Sequence, residues 1–158
     1  MTDFTVFVVR EAVTEADRQA AFAVRREVFV VEQGVPAELE YDAHDSTAVH
    51  VLAVRRDDGT ALGTGRLLYG AEAVGRTGGD EGVGSLGRLA VTEAARGLGA
   101  GAALVRAIED AARARGLTAV DLHAQTRVVG FYERLGYAAY GAEFHDAGIP
   151  HLAMRRTL

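Results

Sequence analysis

Residues 84–102 read GSLGRLAVTEAARGLGAGA, and the join inside this stretch decides the fold. Gly84 to Val91 has the composition of a strand. Arg96-Gly-Leu-Gly-Ala-Gly101 then opens a helix, because Leu98, Ala102, Val105, Ile108 and Ala112 recur at helical spacing. Arg115-Gly116 ends it. Glycines at such a junction let backbone approach a ligand closely, and the first N–H groups of a helix lack internal partners. The helix dipole adds partial positive charge there, so the junction suits a phosphate or pyrophosphate.

Two phosphate motifs compete for this reading. A P-loop needs Gly-Lys-Ser/Thr, and all 17 basic residues are Arg, so it is excluded, as is a Schiff-base lysine. Gly97, Gly99 and Ala102 do fit the dinucleotide pattern G-x-G-x-x-A, with Asp121 at a suitable distance. Against it, Thr92 to Arg96 separate the strand from the first glycine, and too little chain follows for a doubly wound sheet.

Upstream, Thr5 to Ala12 reads as a strand. Thr14 caps a helix, with Asp17 at its third position. Ala20, Ala21, Val24, Val28 and Val31 carry that helix to about Gln33, where Gly34-Val35-Pro36 stops it. A loop follows to about Ala48. Val49–Arg55 and Ala61–Tyr69 form an antiparallel hairpin across Arg56-Asp-Asp-Gly-Thr60. Gly70 to Gly84 holds six glycines and reads as a flexible loop. Ala119 to Ala124 is an apolar strand, Thr126 to Leu135 a short helix ended by Gly136, and Tyr137–Phe144 and His151–Arg156 are strands. The order predicts one mixed α/β (α+β) sheet domain over residues 1–158.

Composition narrows the function. The chain has 158 residues, is 49% hydrophobic, and carries a net charge of −5. Residues 27–54 hold six acids (Glu27, Glu32, Glu38, Glu40, Asp42, Asp45) and no Arg, so that segment carries −6 and the remainder about +1. Such a balance argues against nucleic acid and favours a cationic partner for the acidic segment. No apolar run is long enough to span a bilayer, and Met1-Thr-Asp-Phe4 is unlike a signal peptide, so the cytoplasm is expected. The absence of Lys and Asn suits a GC-rich bacterial source. With no Cys, there is no thiolate metal site and no cysteine nucleophile; the five His lack ligand spacing, so no metal is expected. Ser46 and Ser85 do not sit in Gly-x-Ser-x-Gly, which leaves serine hydrolysis without support.

A second segment, Gln125 to Tyr137 (QTRVVGFYERLGY), places Phe131-Tyr132 inside the short helix. A tyrosine hydroxyl can protonate a leaving thiolate. LGRLAV, RGLGAG, a strand and this segment, in that order, closely resemble the GNAT superfamily of acyl-CoA-dependent N-acetyltransferases. Arg96, Gly99 and Gly101 match the family's Gln/Arg-x-x-Gly-x-Gly/Ala. Phe131, Tyr132, Gly136 and Tyr137 match its Asn-x-x-Ala-x-x-Phe-Tyr-x-x-x-Gly-Phe, with Gln125 replacing the Asn and Val128 the Ala. Arg26-Glu-Val-Phe-Val-Val-Glu-Gln33, Glu40, Asp42, Asp45, His50 and Gly148-Ile-Pro-His151 are similar to the ElaA/YjcF-type branch.

The resemblance implies a twisted, mostly antiparallel sheet whose fourth and fifth strands splay apart around the pantetheine arm of acetyl-CoA. Backbone of Leu89, Ala90 and Val91 would pair with that arm. Backbone N–H groups of Arg96, Gly97, Leu98, Gly99, Ala100, Gly101 and Ala102 would hold the pyrophosphate. Gln125 and Phe131 complete the cosubstrate site. Transfer to a small-molecule or peptide amine would be direct, with an N–H near Ala90 or Val91 on the oxyanion and Tyr132 as the acid. For the general base His151 comes first and Glu32 second, ahead of Glu40, Asp42, Asp45, His50 and His123. Family habit implies a homodimer. An acyl-CoA sensor without catalysis and a nucleotide-dependent oxidoreductase stand as alternatives.

Overall fold

A computed structural model describes residues 6–158. Met1 to Thr5, including the start of the first expected strand, lie outside the described residues. Among the described residues seven strands form one sheet in the order β1-β2-β3-β4-β5-β7-β6: β1 Phe7–Glu11, β2 Val49–Arg55, β3 Ala61–Leu68, β4 Val83–Val91, β5 Ala119–Gln125, β6 Ala138–Asp146 and β7 Ile149–Thr157. Every pairing is antiparallel except β4 with β5. That one parallel pair rules out a doubly wound dinucleotide fold, and with it the structural basis of the oxidoreductase alternative.

Alternation along the strands sorts side chains to two faces. On one, Val51, Leu67, Leu86, Val120 and Leu122 pack under helix α3 (Ala100–Ala114). On the other, Leu52 and Val54 meet helix α1 (Glu15–Arg25) through Ala21. Thr14 caps α1 by accepting from the Asp17 amide, as its sequence predicts.

The helix does not continue as an α-helix to Gln33. From Arg26 to Glu32 it is π-helical, with the Gln33 amide bonded to the Val28 carbonyl. Such turns are rare and recur at functional sites; here the turn carries Val28 and Glu32 to the β4 side of the molecule. The expected loop after it contains a short helix, α2 (Ala37–Glu40), and a 3-10 turn at Ala43–Ser46 whose cap is Asp42. The glycine-rich segment is also more ordered than expected: Ala73 and Thr77 are buried, and Arg155 donates to the Thr77 carbonyl.

Most carboxylates of the acidic segment are paired within the fold. Arg25 binds Glu40 and Asp45, Arg66 binds Asp42 and Asp45, and Arg88 binds Asp42. Three guanidinium groups thus meet three of the six carboxylates, and Glu32 pairs with Arg96. Four of the six carboxylates on which a cationic partner was expected are thus paired within the chain. Buried charges persist only when paired and hydrogen-bonded.

Burial alone would push the carboxyls of Asp42 and Asp45 up, but hydrogen bonds from Arg66 and Arg25 outweigh it and hold both below the usual range. A depressed folded-state pKa contributes stability above the unfolded value of about 3.9, and that stability is lost as pH falls through the folded pKa. The thermal midpoint is therefore expected to fall steeply as pH drops below about 4. A midpoint unchanged between pH 5 and pH 2 would contradict the cluster's role.

Candidate active site

The strands β4 and β5 pair only from Val83↔Ala119 to Leu86↔Leu122. Beyond that point β4 runs on through Leu89, Ala90 and Val91, and β5 through His123 to Gln125, without pairing to each other. The expected splay is therefore present, and it begins at Gly87 and His123. A cleft of about 280 Å³ lies against the freed part of β4, lined by Val28, Glu32, Leu89, Val91, Arg96 and Arg127 among others.

A bulge shapes this part of β4. Thr64 pairs with Ala90 and Arg66 with Gly87, so Gly65 alone stands opposite Arg88 and Leu89. Arg88 has φ +52°, a left-handed conformation that costs a non-glycine residue about 1–2 kcal/mol. Bulges re-aim the strand that carries them.

Beyond β4, Gly97 and Gly99 have φ +88° and +87°. Gly99 is the N-cap of α3, and the first helical hydrogen bond runs from the Ala103 amide to its carbonyl. The amides of Ala100, Gly101 and Ala102 consequently have no helical partner, and no side chain among the described residues caps them. This end fits a diphosphate: its donors are free, and a fifteen-residue helix dipole points at them. The left-handed Gly99 delays the helix start, so Leu98 lies before it and is exposed, not part of the apolar stripe. The buried stripe is Ala100, Leu104, Val105, Ile108, Ala111 and Ala112, with Glu109 among them. Glu109 accepts from Arg106, Arg156 and the Tyr137 hydroxyl, which gives the family-like Tyr137 a structural partner.

Helix α4 (Val129–Arg134) follows a 3-10 turn at Thr126–Val128. A Cβ on Gly101 would lie 3.4 Å from Phe131, so α4 seats directly against the start of α3. Tyr132 is 8% exposed, with its ring edge-on to Phe131 at 4.9 Å and to Tyr137 at 6.0 Å. Burial pushes its phenol up to about 12. A phenol so placed stays protonated near neutral pH and is available as a donor.

The remaining expected residues divide into two groups. Glu32 and Arg96 form a bidentate pair (2.6 and 2.7 Å) on the cleft wall, and Arg96 also donates to the Val91 carbonyl. That pair holds the Glu32 carboxyl below its ordinary range. Gln125 accepts from Arg127 at the end of β5, and His151 stands opposite it on β7. His151 is buried, with Nδ1 on the Ile149 carbonyl at 2.7 Å and its ring stacked on Phe144. Neither Gln125, Tyr132 nor His151 lines the 280 Å³ cleft itself. Glu40, Asp42 and Asp45 are committed to arginines, and His50 is buried with Nε2 on the Asp45 carbonyl. On His123, burial pulls the imidazole down while Asp121, 4.0 Å away, works the other way. Arg127 lines the cleft and Arg88 stands one residue before its β4 wall, and no local sequence pattern marks either.

The Acetyltransferase (GNAT) domain profile matches residues 11–158. The chain belongs to the GNAT acetyltransferase family. The GNAT relative YjcF of Bacillus subtilis, an uncharacterized N-acetyltransferase, is 38% identical, covering 92% of this chain and 96% of its own. An acyl-CoA N-acyltransferase from Pseudomonas aeruginosa superposes with a TM-score of 0.76 at 34% identity, covering 95% of this chain and 97% of that one. Escherichia coli ElaA superposes with a TM-score of 0.79 at 25% identity, covering 95% and 99%. GNAT membership makes the protein an acyltransferase that moves an acetyl group from acyl-CoA to an acceptor. Among the described residues no helix is long and apolar enough to cross a membrane, and no cluster of His, Asp or Glu could hold a metal ion.

Proposed function

We propose that the protein transfers the acetyl group of acetyl-CoA directly to a primary amine on a small molecule or peptide, with no acyl-enzyme intermediate. The observation that carries the reading is the parting of β4 and β5 beside the unpartnered amide end of α3. One element offers a strand edge for the pantetheine arm, and the other offers donors for the diphosphate.

The roles follow from position. Leu89, Ala90 and Val91 hold the arm by backbone, and Gly97 to Ala102 hold the diphosphate. Gln125 and Phe131 bound the arm from the β5 side. His151 takes the proton from the acceptor ammonium: with Nδ1–H donating to Ile149, Nε2 keeps its lone pair. The free amine attacks the thioester carbon, and a β4 amide near Ala90 or Val91 stabilises the oxyanion. As the C–S bond breaks, Tyr132 protonates the departing sulfur, the surplus proton on the new amide nitrogen restores the phenol, and His151 releases its proton to solvent. A cationic acceptor would share the Glu32 carboxylate with Arg96 at the cleft wall; Glu40, buried against Arg25, takes no part in that choice.

Free-thiol release from acetyl-CoA across a panel of amines tests this reading. Initial velocities are expected to follow a sequential pattern, with no acetylated protein by mass spectrometry. A ping-pong pattern, or an acetyl group retained on the chain, would refute direct transfer. In the same assay Glu32→Gln is expected to lower kcat/KM for cationic amines more than for neutral ones. Equal losses would remove Glu32 from acceptor choice.

A further inference from the structure

Arg88 occupies a backbone conformation that glycine would adopt without strain, one residue before the strand segment that borders the cleft. Its side chain is not loose. Nε donates to the Glu40 carbonyl at 3.1 Å, and Nη2 donates to Asp42 Oδ2 at 3.1 Å. The turn that receives it is anchored independently. Glu40 is bound by the fully buried Arg25, and Asp42 Oδ1 accepts from the fully buried Arg66 at 2.7 Å. The far end of the tether is thus fixed in the ion cluster, while the near end is the bulge itself.

We propose that Arg88 is a positioning residue for acetyl transfer: its guanidinium ties the β4 bulge to the Glu40–Asp42 turn and so fixes the Leu89–Val91 backbone along which the pantetheine arm lies. The inference rests on the placement of that arm under the proposed function. It explains why a residue that suffers strain at φ +52° stands where glycine would not. Glycine would keep the bulge and lose the tether. It also gives the acidic segment a role other than contact with the acceptor. Asp42 and Glu40 hold the acyl side of the site from behind.

Calorimetric titration of acetyl-CoA into the wild-type protein, Arg88→Ala, Asp42→Asn and the double variant tests the tether, with folding checked by circular dichroism. Asp42→Asn can keep Oδ1 for Arg66 and the His44 amide while presenting an NH2 to Arg88, so it breaks the tether from its other end. Each single variant is expected to weaken acetyl-CoA about tenfold, the scale of one hydrogen bond to a charged group. The double variant is expected to lose no more than Arg88→Ala alone, not about a hundredfold, because Asp42→Asn removes one of the two hydrogen bonds that Arg88→Ala already removes. Arg88→Lys, with one donor left for the Glu40 carbonyl, is expected to regain part of the affinity. The acceptor KM is expected to stay unchanged. Folded single variants with wild-type affinity, or additive losses in the double, would overturn the inference. If Arg88→Ala does not fold, Asp42→Asn decides alone. Wild-type protein that does not bind acetyl-CoA would overturn the cleft reading itself, which is a distinct result.

Discussion

Replacing Tyr132 with Phe is expected to lower kcat about a hundredfold, the lower end of the range for losing a general acid, while the affinity for acetyl-CoA changes little. The ring is what packs. It is edge-on to Phe131 and Tyr137 in the main core, and Phe keeps those contacts. Among the described residues the hydroxyl has no hydrogen-bond partner, so its removal costs the fold little. Only the proton is lost. Burial has pushed the phenol up to about 12, so it does not ionise in the working pH range, and its own titration gives no alkaline fall in rate below about pH 10. Steady-state kinetics with calorimetric affinity separates the two effects. Wild-type kcat in Tyr132→Phe would exclude the phenol from the mechanism.

Ala102→Asp is expected to weaken acetyl-CoA by at least about a hundredfold, roughly 2.7 kcal/mol, without destabilising the protein. Ala102 is the third residue of α3 and partly buried. A carboxylate there completes the helix dipole, which is worth about 0.3–1 kcal/mol in favour of the fold. The same carboxylate competes for the amides that would receive the diphosphate and repels its charge. Stability and affinity therefore move in opposite directions, an outcome that general damage to the helix cannot produce. Thermal midpoint and acetyl-CoA affinity measured on one preparation give the answer. Unchanged affinity would place the diphosphate elsewhere.

What could be read from the chain was local. Thr14 and Asp17 mark a helix start three residues apart, and the β2–β3 hairpin is written in Val49–Arg55, a turn and Ala61–Leu68. Gly97 and Gly99 announce the free end of α3, because only glycine takes those φ values without strain. What could not be read was long-range. Arg25 meets Asp45 twenty residues on, and Arg66 and Arg88 reach back to Asp42 from β3 and β4, so a stretch that reads as −6 has half of that charge offset by these three arginines in the fold. The left-handed Arg88 carries no local signal, since arginine has no preference for that conformation. The π-helical turn at Arg26–Glu32 keeps the apolar spacing of an ordinary helix and shows only in its hydrogen bonds. Leu98 misled for a related reason: its apolar spacing continues the α3 stripe, but the conformation of Gly99 places it outside the helix.

The most direct test is a crystal structure of the protein with acetyl-CoA bound. The diphosphate is expected on the amides between Gly97 and Ala102, the pantetheine along Leu89 to Val91, and the thioester sulfur within hydrogen-bond reach of the Tyr132 hydroxyl. A diphosphate bound away from the start of α3, or a sulfur remote from Tyr132, would contradict the account.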